Sequence, residues 1–236
     1  MSTQQKVVIV TGASQGIGAE LIKAFRDHNY RVIANSRSIK PSLDADVLNI
    51  AGDIANPATA DRIVSEGLAH FGRIDTLINN AGIFISKPFV DYTEEDYTAI
   101  VAINLGGFFR LTKRVAAEML KQGSGHIVQI TTTLVDHPNS SVPAGLAAIT
   151  KGGLNAATRS LAIEYASRKI RVNAVSPGII KTPMHAAETH EFLSKLHPVG
   201  RMGEPRDIVD AVLYLENAPF VTGEILHVDG GQSAGH

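Results

Sequence analysis

Gly12, Gly16 and Gly18 set the first chemical constraint. They stand in Thr11-Gly12-Ala13-Ser14-Gln15-Gly16-Ile17-Gly18, directly after the apolar run Val7-Val8-Ile9-Val10 and directly before a helix-like stretch. Glycines at a strand-to-helix turn let the backbone bend tightly and approach an anion, and the helix N-terminus adds unpaired N–H groups and partial positive charge. Such a loop suits the pyrophosphate of a dinucleotide, with a plain tight turn as the bland alternative. Its spacing, G-x-x-x-G-x-G, is one residue longer in the first gap than the widespread dinucleotide fingerprint. Farther on, Ala34-Asn35-Ser36-Arg37 carries no acid where a second strand ends. A carboxylate there accepts hydrogen bonds from a ribose 2′-OH and repels a 2′-phosphate, whereas an arginine attracts that phosphate. The expected cofactor is therefore NADP(H) in preference to NAD(H), unless Arg37 is merely a solvated surface arginine. The chain has no cysteine, which excludes disulfides, thiolate nucleophiles and thiolate metal sites. His185, His190 and His197 crowd one segment, but spacings of five and seven residues do not place all three on one helix face, so no metal site is expected.

The elements that must position these residues alternate from end to end. Strands are expected at Val7–Val10, Arg31–Ala34, Val47–Ile50, Thr76–Ile78, His126–Ile130, Arg171–Val175 and Ile225–Val228. Helices are expected over Ile17–His28, from Asn56-Pro57 to about Phe71, within Thr93–Leu120, over Val142–Ser167, and from near Pro205. Asn56-Pro57 supplies an N-cap followed by proline at the first helical position. The strands read as continuous apolar runs, not strict alternations, so both faces of the sheet are covered. The expected fold is α/β, a Rossmann-type doubly wound parallel sheet of about seven strands between helices, three αβα layers. With 236 residues and neither linker nor repeat, residues 1–236 read as a single NAD(P)-binding domain. The formal net charge is −1 without a basic block, which argues against a nucleic-acid partner. The short polar start, Met1 to Lys6, and the lack of a long apolar span point to a cytoplasmic protein with no membrane partner.

Further motifs, in order, make the chain resemble the short-chain dehydrogenase/reductase family over essentially its whole length. The glycine loop Thr11–Gly18 is the first. Gly52-Asp53-Ile54 matches the family segment whose aspartate contacts the adenine, and Asn79-Asn80-Ala81-Gly82 matches the segment ending the fourth strand. Asn104 matches the active-site asparagine. Ser176-Pro177-Gly178 matches the motif against the nicotinamide, with Ile180 and Thr182 following it at the cofactor. Gly200 to Pro205, Val221-Thr222-Gly223 and Val228-Asp229-Gly230-Gly231 resemble the closing stretch. The resemblance implies cofactor contacts from Gly12, Ser14, Gln15, Gly16, Ile17, Gly18, Ser36, Arg37, Asp53, Ile54, Asn80, Ala81, Gly82, Lys151, Pro177, Gly178, Ile180 and Thr182. It also implies a homo-oligomer, tetramer or dimer, with the helices around residues 97–120 and 143–167, the C-terminal strand and the short Gln232–His236 end at its interfaces.

Family members pair a tyrosine with a lysine four residues later, neighbours on one helix face. The lysine binds the nicotinamide ribose and lowers the tyrosine's pKa; the tyrosine exchanges a proton with the substrate oxygen, which a serine upstream also holds. Lys151 matches the lysine, but Ala147 stands four residues before it, and no tyrosine occurs between Tyr97 and Tyr165. Thr132, in Thr131-Thr132-Thr133, is the match for the serine, with a one-position ambiguity because the loop to Ala147 is longer than usual. A strand-end threonine capping its own turn is the bland alternative. The implied catalytic set is thus Lys151, Thr132 and Asn104, with His137 in the elongated loop as a candidate surrogate proton donor. Residues 183–200 form a short substrate-covering segment whose Met184, Phe192, Leu193 and Leu196 suit an apolar substrate or plain packing. Two functions stay open: an NADP(H)-dependent oxidoreductase on a small-molecule carbonyl or alcohol with an altered active site, and a catalytically silent NADP(H)-binding sensor or partner subunit.

Overall fold

A computed structural model describes residues 5–235, so residues 1–4 and 236 of the two short terminal stretches lie outside it. Val7–Thr11 forms β1, Arg31–Ser36 β2, Val47–Ala51 β3, Thr76–Asn79 β4, Gly125–Ile130 β5, Ile170–Pro177 β6 and Ile225–Val228 β7. All neighbours pair parallel in the order β3-β2-β1-β4-β5-β6-β7. The chain begins in the middle of the sheet, builds outward through β2 and β3, then returns to the other side of β1 with β4. Loops leaving the carboxyl ends of β1 and β4 therefore diverge, opening a crevice at the switch point where doubly wound sheets bind ligands.

The helices are α1 (Gly16–Asp27), α2 (Pro57–Phe71), α3 (Glu94–Ile100), α4 (Phe108–Gln122), α5 (Gly145–Tyr165), α6 (His190–Ser194) and α7 (Pro205–Asn217). Alternate residues of each strand feed opposite layers. Val8, Val10, Val32 and Val128 pack with Leu21 and Phe25 of α1 and Ile208 and Val212 of α7. Val7, Ile9, Ile33 and Ile127 pack with Ile63 of α2, Leu111 and Val115 of α4, and Ala162 of α5. Both sets are fully buried, which is why the strands read as unbroken apolar runs. The Asn56 carboxamide oxygen accepts from Ala58 N–H at 3.0 Å and Pro57 opens α2, as the N-cap motif requires.

Two stretches depart from the simple pattern. The region within Thr93–Leu120 is not one regular helix: between α3 and α4, Val101–Gly107 winds as a π-helix that contains Asn104. Gly107 has no room for a side chain there, since a Cβ would lie 2.9 Å from Ile54. The expected Val142–Ser167 helix starts later, at Gly145, because Asn139 and Val142 pair across a small turn before it. The covering segment holds α6, a helix too short to register as a periodic pattern.

Candidate active site

The glycine loop is locked from behind. Gly12 and Gly16 adopt φ +64 and +55, the left-handed region that L side chains rarely enter. Gly18 sits so close under the loop that a Cβ would lie 2.2 Å from the Gly12 carbonyl oxygen. Asn80 closes the back by donating through Nδ2 to Thr11 O at 2.9 Å and Gly12 O at 3.3 Å. Thr11 Oγ1 in turn accepts from the backbone of Asn80 and Ala81. The first N–H groups of α1 thus face the crevice, and no side chain caps them.

Gly12, Ser14, Gln15, Gly16 and Ile17 line a cleft of about 300 Å³ together with Ser36, Arg37, Asp53, Ile54, Asn80, Ala81, Gly82 and Thr182. Gly18 lies beneath that lining. At the cleft's end the Ser36 hydroxyl is buried without a hydrogen-bond partner. The exposed Arg37 lies beside it without an ion pair to any described residue. Asp53 faces the cleft while its Oδ1 accepts from Ala55 N–H at 2.9 Å. The tight glycine turn, the uncapped helix end and the orphaned hydroxyl fit a dinucleotide laid from α1 to the end of β2.

A second cavity of about 580 Å³ shares Ile17, Asn80, Gly82, Ile83, Thr182 and Met184 with the first and continues toward β5 and α5. Lys151, Thr132, Ala147, Pro177, Gly178 and Ile180 line it. Lys151 donates to Ile130 O at 2.6 Å, and burial pulls its ammonium down to about 8. A Cβ on Gly82 would meet Lys151 Nζ at 3.1 Å and Asn104 Oδ1 at 3.2 Å, so a side chain there would crowd both groups. Asn104 is buried behind the lining, where it accepts from Ile83 N–H at 2.9 Å and donates to Ile83 O and to Thr150 Oγ1. Its place is to hold the chain leaving β4 at the cavity wall.

The three threonines divide the work unequally. Thr131 donates to Val175 O, and Thr133 donates to Asp229 Oδ2 at 2.8 Å. Thr132, half-buried and lining the cavity, is left with one weak local contact from Leu134 N–H at 3.4 Å. Ala147 is 2% exposed, one turn of α5 before Lys151, and no tyrosine lines either cavity among the described residues.

The histidines separate by place. His137, the candidate surrogate donor, is exposed and lines neither cavity. His197 is buried and satisfied: its Nδ1 faces Leu193 O at 3.0 Å and its Nε2 accepts from Ile179 N–H at 2.9 Å, so it staples α6 to the Pro177–Ile180 loop. Burial holds its pKa below the ordinary value, in keeping with that neutral role. His185 lines the second cavity. The described residues contain no group of side chains that could hold a metal.

A family model described as enoyl-(acyl carrier protein) reductase matches residues 12–233. The chain belongs to the short-chain dehydrogenase/reductase family. It is 36% identical to the 3-oxoacyl-[acyl-carrier-protein] reductase of Thermotoga maritima, over 98% of this chain and 99% of that one. Among solved structures it superposes on ElxO with NADP bound at TM-score 0.90 and 27% identity, covering 98% of this chain and all of that one (100%). It superposes equally on the 3-ketoacyl-(acyl-carrier-protein) reductase of Brucella melitensis complexed with NADH, at TM-score 0.90, 29% identity and coverage of 98% and 100%. The protein is thus a short-chain dehydrogenase/reductase with the NAD(P)-binding Rossmann fold. Among the described residues no helix is long and apolar enough to cross a membrane.

Proposed function

We propose that this protein is an NADP(H)-dependent oxidoreductase acting on a small carbonyl or alcohol, with Ala147 where its relatives place the catalytic tyrosine. The observation that carries the reading is the continuity of the two cavities: a dinucleotide cradle runs into a chamber where Lys151 and the spare hydroxyl of Thr132 converge. The nicotinamide, when bound, supplies or accepts hydride. Ser36 and Arg37 would take the 2′-phosphate, the uncapped start of α1 the pyrophosphate, and Lys151 the nicotinamide ribose. Thr132 donates its hydroxyl to the substrate oxygen, and Asn104 keeps the Ile83 backbone from collapsing into that space. Within the second cavity Ile83, Phe84, Leu134, Val142 and Phe192 supply apolar walls, which suits a 3-oxo ester or thioester with an alkyl chain. The acyl-carrier-protein reductases that the chain resembles act on substrates of that class by their names.

Loss of the tyrosine removes a general acid worth roughly 10²–10⁴-fold in rate. The buried Ala147 therefore also favours a second reading, a silent NADP(H)-binding sensor or partner subunit. Fluorescence titration with NADPH and NADH, then turnover of ethyl 3-oxohexanoate, separates the two. Tighter NADPH binding with turnover supports the enzyme. NADPH binding without turnover, and turnover gained only in Ala147→Tyr, supports the sensor. Failure to bind either nucleotide rejects both.

A further inference from the structure

The second cavity contains two ionisable side chains, Lys151 and His185, and no carboxylate. Lys151 is committed: its ammonium already donates to Ile130 O at 2.6 Å and stands against Gly82, at the junction with the dinucleotide cleft. His185 is not. Its backbone is fixed at both ends, with its N–H donating to Thr182 O at 3.0 Å and its C=O facing His190 Nε2 at 3.1 Å. Its ring is half-buried on the cavity wall and makes no hydrogen bond to any described residue. With its backbone held and its ring on the cavity wall without a protein partner, His185 has both ring nitrogens free for water or a ligand atom in the cavity. Ala147, where relatives carry their proton donor, lines the same cavity as Lys151 and Thr132 and brings no polar group to it.

We propose that His185, brought in by the covering segment, is the catalytic proton donor and acceptor of this enzyme, replacing from across the cavity the tyrosine that α5 lacks. This inference rests on the oxidoreductase reading. In reduction, the imidazolium N–H bond breaks as its proton passes to the carbonyl oxygen. The carbon–oxygen π pair moves to that oxygen, and the carbon takes its hydride from the reduced nicotinamide. An alcohol and a neutral imidazole result; in oxidation the neutral ring takes the hydroxyl proton instead. One titratable group acts on the ring, His190 from α6, and it disfavours the ring's charge if charged itself; Lys151 of α5 lines the same cavity without a resolved effect on it. Burial, and then His190, hold its pKa below the ordinary histidine value. Neutral His185 accordingly predominates at pH 7, which favours alcohol oxidation there and carbonyl reduction on the acid side.

The test uses the full chain and three readouts. In cofactor-free protein, the histidine ring signal missing from His185→Gln should titrate below 6.5 and shift when ethyl 3-oxohexanoate is added. With NADPH, His185→Gln should lose about 100-fold or more in kcat/KM for that ester. It should also lose the acid-side rise in rate while binding NADPH as tightly as wild type. Adding Ala147→Tyr to His185→Gln should restore at least part of the rate, since a tyrosine on α5 returns a proton donor to the same oxygen. A ring signal that ignores the ester, a wild-type rate and pH profile in His185→Gln, or no rescue by tyrosine each overturns the proposal. An active wild type with any of these results rejects His185 alone. A wild type that binds NADPH but turns over nothing rejects the oxidoreductase reading, and the proposal with it.

Discussion

Lys151 shows at the residue scale what the site costs the fold. A lysine whose folded pKa is depressed is less willing to be charged in the native state than in the unfolded chain. At pH below about 8 that desolvation opposes folding; between about 8 and 10.4 the folded lysine deprotonates first and the opposition fades. Lys151→Met keeps the length and removes the charge, so it should raise stability at pH 7 by on the order of 1 kcal/mol, allowing for solvent screening of a half-buried group. The gain should vanish near pH 11, and NADPH affinity should fall at every pH. Thermal unfolding across that range, with and without NADPH, checks both parts. Other residues differ in how far the sequence exposes them. Lys151 and the glycine loop are legible because their neighbours in the chain define them. Which of three consecutive threonines keeps a free hydroxyl at the cavity is not, because it depends on whether Val175 and Asp229, distant in sequence, claim the hydroxyls of Thr131 and Thr133. His185 stands out in the sequence only as one histidine among three; nothing local says that its segment lines the cavity that Ala147 also lines.

Elements carry the next constraint, because loop positions are held by side chains from other elements. Asn104 reaches the Ile83 backbone from a π-helical turn, whose wider coil directs a buried carboxamide at both the N–H and the C=O of one residue. Asn104→Ala leaves both groups without their partner and should cost about 2–3 kcal/mol. NADPH affinity should fall with it, since Gly82 lies next to the freed segment; chemical denaturation and nucleotide titration measure the pair. Gly18 tests the other wall. A methyl there would sit 2.2 Å from the Gly12 carbonyl oxygen, so Gly18→Ala must push α1 away from β1. It should lose about 1–3 kcal/mol and most NADPH binding, whereas Ala13→Gly should lose far less of either. The strands and the main helices were legible because burial on both faces leaves an unmistakable apolar run. The π turn was not: hydrophobic period assumes a regular helix, and only Asn104 beside the Gly106-Gly107 pair hints that the coil widens. Nor was α6, which is too short to show a period.

Across the whole molecule, part of the stability is set far from the crevice. At the amino end of the sheet, Glu216 of α7 is buried with donors from His126 of β5 at 2.7 Å, Tyr30 at 2.7 Å, Thr76 of β4 at 3.1 Å and Lys6 at 3.4 Å. Burial alone would raise this carboxyl, yet the donors pull it to about 2. A depressed carboxyl stabilises fully above its unfolded value, near 4.3, and that stability is lost as pH falls through about 2. Burial also depresses His126, so acid weakens the fold from about pH 6.5 downward as the unfolded chain takes up protons the native ring refuses. Glu216→Ala should cost about 3–5 kcal/mol at pH 7 and flatten the acid limb of the stability curve. The inner face of α5 presents Ala147 and Lys151 to the cavity, while its outer face leaves Ile149 and Ile163 exposed, Ile163 at 80%. Phe109 of α4 is likewise exposed. Isolated apolar side chains on a surface need no partner, but large ones on the helix that holds the site lysine, and on α4, fit the homo-oligomer implied for this family. We expect sedimentation of the wild-type chain to give a dimer or tetramer, and Phe109→Glu with Ile163→Glu to give a monomer. Because a free α5 loses support on its outer face, the monomer should unfold at lower temperature and bind NADPH more weakly. A wild type that sediments as a monomer, or a double variant that still associates, places the interface elsewhere.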